Sequence, residues 1–180
     1  TETAALIFGS ACHKYILERD DFDSEFAVAL NVDRRTKAGK EEYAKWLEEN
    51  EGKDVVSSDD MEKIKDMEEV IDSNKFAKRL LSGEHEKSFF WTDEQTGEEC
   101  KCRPDDITII GNHHILVDYK TTDNAETEAF RATAIKYGYD LQAGMYCEGY
   151  KANTGEDAIF IFVAQEKKPP YAINILQADE

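Results

Sequence analysis

Long apolar runs are missing from this chain. The longest, Ala158 to Ala164, is far shorter than the roughly 20 residues that span a bilayer, so no membrane segment is expected. The sequence does not open on a basic-then-apolar leader, Thr1 is not an initiator methionine, and the sequence is expected to be a trimmed stretch of a longer one. Cysteine is scarce: Cys12, Cys100, Cys102 and Cys147 could form two disulfides, but nothing marks secretion. The one close pair is a CxC rather than the CxxC that zinc and iron–sulfur sites use, so the thiols are read as reduced and structural, in the cytoplasm. Walker and Rossmann glycine patterns are absent, and no ATP use is expected. Repeats and low-complexity tracts are absent as well.

Basic residues are few: 22 against 39 acidic, a net charge of −17. Such a balance argues against a surface that coats nucleic acid. The excess is local, however. Between Glu41 and Asp72 there are 13 acidic and 4 basic residues, so more than half of it sits in one charge-dense helical stretch, read as a solvated face. What remains is ordinary globular material: 41% hydrophobic and 34% charged residues in 180, enough chain for one domain that buries roughly two-thirds of its surface.

Apolar spacing predicts a helix over residues 3–18, then a short strand from Glu25 to Val32. A polar helix follows from Thr36 to Asn50, and another runs from the Ser57-Ser58 cap signal to about Leu81. Beyond Gly83 the pattern becomes β-like. Glu86 to Thr92 and Glu98 to Arg103 form a hairpin, and Pro104 to Ile110 and His113 to Thr121 pair across Gly111-Asn112. Helices at about Glu126–Lys136 and Tyr139–Lys151 lead to strands at Ala158–Gln165 and Tyr171–Gln177. The expected class is α/β (α+β), a central mixed β-sheet flanked by helices.

Asp118 and Lys120 lie two residues apart on an apolar strand, hence on one face, with Tyr119 on the other. Burying an acid and a base side by side is costly, although half-exposed strands also carry such pairs as plain salt bridges. Arg103-Pro-Asp105-Asp106 sits on the neighbouring strand, so one of its two carboxylates comes beside Asp118; spacing does not say which. Glu86 lies on the strand before. Three carboxylates from three adjacent strands describe a site for Mg²⁺, or Mn²⁺ in its place. His13 shares a helix face with Gly9 one turn earlier, and Gln142 is one turn from Tyr146. Taken singly, these two pairs are also what ordinary core packing produces.

Phe8-Gly-Ser-Ala-Cys-His13, Glu86-Lys-Ser-Phe-Phe-Trp91, Cys102-Arg-Pro-Asp105, Asp118-Tyr-Lys-Thr-Thr122 and Tyr139-Asp-Leu-Gln142-Ala-Gly-Met-Tyr146 occur in this order, each on a predicted helix or strand. In this the sequence resembles the PD-(D/E)XK nuclease superfamily, in its RecB-like branch, and looks most like the exonuclease VIII (RecE-type) phage exonucleases. The resemblance implies a restriction-endonuclease-like core in a single nuclease domain over 1–180, with an acidic helical insertion at about 36–82 and the catalytic core at about 84–165. It implies that Asp105, Asp118 and Glu86 hold the metal and that His13 approaches it. Lys120 becomes the catalytic lysine, with Gln142 and Tyr146 facing the site. Asp105 is preferred to Asp106 because the family's aspartate directly follows Arg-Pro.

The implied activity is metal-dependent digestion of linear double-stranded DNA, 5′ to 3′, in phage-type recombination. The implied partners are a single-strand annealing protein and further copies in a ring-like trimer or tetramer. Arg34, Arg35 and Arg103, with Lys37, Arg79, Arg131 and Lys136, are candidates to line the DNA path. Two other readings compete. One is a repair or end-trimming nuclease on single-stranded or flap DNA. The other is an inactive nuclease fold that serves as an acidic protein-binding module.

Overall fold

The computed structural model describes residues 3–178. The chain forms two compact units, one ending at Glu68 and the other starting at Glu69.

The first unit opens with helix α1 (Ala4–Leu17), whose first turn is capped by the Thr3 hydroxyl accepting from Leu6 N–H. A 3-10 turn (Arg19–Asp21) and a single helical turn, α2 (Phe22–Glu25), occupy residues for which the sequence pattern predicts no helix. The strand expected over 25–32 is shorter, β1 (Phe26–Val28). After α3 (Lys37–Glu49), capped by Thr36 accepting from Gly39 N–H at 3.0 Å, comes β2 (Asp54–Val56), which pairs with β1 in parallel. Three residues are too few to display an alternation, which is why β2 escapes the sequence pattern. Tyr15, Phe22 and Phe26 form the unit's aromatic core, with ring centres 5.2 Å apart, first edge-on and then stacked.

One helix is predicted from Ser58 to about Leu81, but two are found. They are α4 (Ser58–Ser73), which carries the division between the units, and α5 (Lys75–Leu80). Asn74 breaks the run. Its backbone is extended, at φ −92° and ψ 98°, and its side chain accepts from the N–H groups of Phe76 and Ala77. A short amide that competes for backbone donors favours a cap over a helix interior.

The second unit carries β3 (Glu84–His85), β4 (Phe89–Thr92), β5 (Glu99–Cys102), β6 (Asp106–Ile110), β7 (His113–Thr122), α6 (Thr127–Tyr137), α7 (Tyr139–Thr154), β8 (Ala158–Glu166) and β9 (Ile173–Gln177). Its main sheet has the order β3-β6-β7-β8-β9. The β7–β8 pair is parallel and the other three are antiparallel, so the sheet is mixed, as the pattern predicts. β4 and β5 form a separate hairpin. The strand predicted over Glu86–Thr92 begins later, at Phe89, and β3 precedes it unpredicted; Glu86, at φ 53°, interrupts the extended backbone between the two.

Helix α7 packs on the hairpin and on β8. That approach needs Gly149, where a Cβ would lie 2.5 Å from the Trp91 ring and 2.9 Å from Cys102 Sγ. The core on this side gathers Phe89, Cys102, Leu116, Phe130, Ala143, Tyr150, Phe160 and Phe162. Among the described residues no helix is long and apolar enough to cross a membrane.

Candidate active site

β7 is the middle strand of five, and Ile115 to Tyr119 are all buried. Alternation sends Leu116, Asp118 and Lys120 to the face shared with α7, while Tyr119 goes to the opposite face, where its hydroxyl donates to Gln165 Oε1 at 2.6 Å. Asp118 is 1% exposed. A carboxylate so deep in the sheet needs partners, and Lys120 and Gln142 are among them. Lys120 Nζ lies 2.9 Å from Oδ1 and 2.7 Å from Oδ2, and Gln142 Nε2, on the first turns of α7, donates to Oδ1 at 2.9 Å. Burial works against the charge on Lys120, yet Asp118 and the more distant Asp105 overcome it and raise the ammonium above its ordinary pKa. The side chain stays cationic, with Nζ 4.9 Å from the centre of the Tyr139 ring.

Sheet register separates Asp105 from Asp106. Asp106 pairs with Val117, so it belongs to the face opposite Asp118. There it is fully buried, accepting from Gly83 N–H at 2.7 Å and lying 2.9 Å from His85 Nδ1. Burial raises its carboxyl to about 6. One residue earlier, Asp105 turns the other way. Its Oδ2 accepts the Tyr119 main-chain N–H at 2.6 Å, between Asp118 and Lys120.

Glu86 joins from the end of β3. Its N–H donates to Asp105 O at 3.2 Å, its carboxylate approaches that of Asp105 within 4.8 Å, and Arg103 Nε lies 2.7 Å from its Oε2. A positive φ in a residue with a Cβ costs roughly 1–3 kcal/mol. The backbone bond to Asp105 fixes Glu86 in that conformation. The carboxylates of Glu86 and Asp105 converge here with no sulfur between them, a donor chemistry that suits a divalent cation.

The second unit thus brings together Asp118, Lys120, Gln142, Asp105, Glu86 and Arg103. Tyr146, one turn beyond Gln142, sets its ring edge-on to Phe160 with centres 5.9 Å apart. His13 lies on α1 in the first unit. Arg34 and Arg35 lie there too, in the loop before α3. Arg34 stacks over Tyr43, with its guanidinium carbon 4.7 Å from the ring centre, while Arg35 grips both oxygens of Asp33 at 2.9 and 3.1 Å. Sequence reasoning does not single out Tyr139, the ring beneath Lys120. The available signal is its helical spacing from Gln142, three residues on.

A solved protein from Eubacterium rectale, described as a "putative exonuclease", aligns over 100% of this chain and 60% of its own at 17% identity, with a TM-score of 0.66; that likeness speaks to the fold. The chain therefore spans 60% of that protein's length. A second solved protein, SSO0001, is 20% identical over 67% of this chain and 50% of that one, with a TM-score of 0.39. No curated protein sequence matches the chain. The family described as a PDDEXK-like domain of unknown function (DUF3799) matches residues 1–180, and the chain belongs to that family.

Proposed function

We propose that this domain is a divalent-metal-dependent nuclease that hydrolyses phosphodiester bonds of linear double-stranded DNA from an end, in the 5′-to-3′ direction. The observation that carries the reading is the buried Asp118, held by Lys120 and Gln142, beside an Asp105 fixed on the backbone of the same strand. An inert scaffold has no need of a buried acid–base pair next to two further carboxylates, which weighs against the acidic binding module.

Glu86, Asp105 and Asp118 would hold the cation, with His13 proposed as a further ligand. A bound Mg²⁺ supplies Lewis acidity and a more acidic water. Lys120, held cationic, positions the attacking water and stabilises the charge that develops on the phosphate, acting as a fixed charge rather than a base. Gln142 orients Asp118, and Tyr146 supports that helix turn. Arg103, Arg34 and Arg35 neutralise backbone phosphates. In the same reading the enzyme acts in phage-type recombination, beside an annealing protein and as a ring-like oligomer.

The test is digestion of end-labelled linear duplex beside a covalently closed circle, in Mg²⁺ and in EDTA. Loss of the linear form alone, abolished by EDTA, supports an exonuclease. Cutting of the circle shifts the reading to an endonuclease, and no cleavage of either form removes it.

A further inference from the structure

Four side chains form a ladder that leads away from Asp118. Lys120 Nζ lies 4.9 Å from the centre of the Tyr139 ring. The Tyr139 and Tyr137 rings stack with centres 5.9 Å apart and planes at 25°. Lys136 Nζ lies 5.0 Å from the centre of Tyr137. The geometry is set by the α6–α7 junction, where Gly138 adopts φ 70° and ψ 34° and ends α6, so that residues on either side of it can face each other. Tyr139 is braced from behind by Phe130 and Phe162, at 6.2 and 6.0 Å. Tyr137 is 62% exposed.

We infer that Tyr137 is a stacking platform for an unpaired nucleobase, so that the substrate of the proposed nuclease is a DNA end whose terminal bases have left the duplex stack. The inference rests on the nuclease reading and names the form of DNA end that the site takes. An aromatic ring that is already ordered against a fixed neighbour loses little freedom when a base stacks on it. Stacking is indifferent to base identity, as a nuclease without sequence preference requires. The cations stand at both ends of the ring pair, in a chain that is otherwise strongly acidic, and each can exchange its ring for a phosphate. A base on Tyr137 would hold the strand end on the ladder that begins at Lys120.

The experiment measures KM and kcat in Mg²⁺ on two duplex oligonucleotides whose ends carry a short unpaired tail. One carries bases throughout and the other has abasic sites at its terminal positions. For the base-bearing substrate, Tyr137→Ala should raise KM about tenfold, equivalent to about 1.4 kcal/mol, with kcat little changed. It should leave the abasic substrate unaffected, and Tyr137→Trp and Tyr137→Phe should restore the wild-type KM. A 2-aminopurine at the terminal position should be quenched on binding to wild type and bright with Tyr137→Ala. An unchanged KM in Tyr137→Ala, or the same loss on the abasic substrate, overturns the platform while leaving the nuclease intact. Loss of a dimer in sedimentation at unchanged KM reassigns the ring to contact between copies of the chain. If wild type cleaves neither oligonucleotide in Mg²⁺ or Mn²⁺ and also spares linear duplex, the nuclease reading fails and the platform fails with it.

Discussion

The main-chain N–H of Tyr119 donates to Asp105 Oδ2 at 2.6 Å. The strand that presents Asp118 and Lys120 thus also holds the neighbouring carboxylate by its backbone, and the acidic cluster is built into the sheet. Asp105→Asn keeps an oxygen that can accept from Tyr119, so its thermal midpoint should stay within a few degrees of wild type. Asp105→Leu leaves a buried N–H without an acceptor and should cost about 1–3 kcal/mol. Urea unfolding of the two variants in EDTA distinguishes these outcomes.

Lys120 and Asp118 should couple strongly in stability. Asp118 is 1% exposed and the Lys120 side chain 24%, so removing the lysine strands a charge that has little access to water. Discounted for that exposure, Lys120→Ala should cost about 2 kcal/mol. Adding Asp118→Asn should recover much of the loss, because the uncompensated charge goes with it. A double-mutant cycle in EDTA should give a coupling of about 1 kcal/mol or more; additive losses would show that the pair is not a unit.

Asp106 gives the fold a pH dependence. Burial raises its carboxyl from 3.8 to about 6, against the opposing effects of Gly83 N–H and His85, with Asp105 adding to the rise. A raised folded-state pKa means that the native protein binds this proton more tightly than the unfolded chain. The resulting stability is fully present below about pH 4 and is lost as pH climbs through about 6. The loss is on the order of 3 kcal/mol. Denaturation midpoints across that window should fall for wild type relative to Asp106→Asn, in which this group no longer titrates.

Glu86 holds φ 53°, a conformation that glycine adopts freely and other residues resist. Glu86→Gly should therefore be more stable than Glu86→Ala by about 1 kcal/mol. Both should lose metal-dependent cleavage. Equal stabilities would show that the strain is relieved elsewhere.

The sheet around the proposed site is legible in the chain because its strands are long and carry turn residues between them. Gly111 marks the β6–β7 turn, and the apolar run from Ile115 reads as a central strand. Asp118 and Lys120 followed from period two. The choice between Asp105 and Asp106 did not follow from spacing, because it depends on the pairing of Asp106 with Val117, which only the folded register supplies. Asn74 is a residue type that favours caps, but the helical pattern on both sides of it predicts one unbroken helix. The positive φ of Glu86 leaves no trace in a sequence, since nothing in the residue type favours it. Tyr139 opens one predicted helix and Tyr137 falls just past the predicted end of the other, and their stacking arises from the left-handed turn at Gly138 between them.

Single-turnover cleavage of linear duplex in Mg²⁺ by Asp105→Asn and Asp106→Asn, each checked for native folding, tests the assignment of the site most directly. The two residues are adjacent in the chain and nearly equal in burial, but they face opposite sides of the sheet. Asp105→Asn should lose at least about 100-fold in rate while Asp106→Asn stays within a few-fold of wild type. Equal losses, or loss in Asp106→Asn alone, would contradict the assignment.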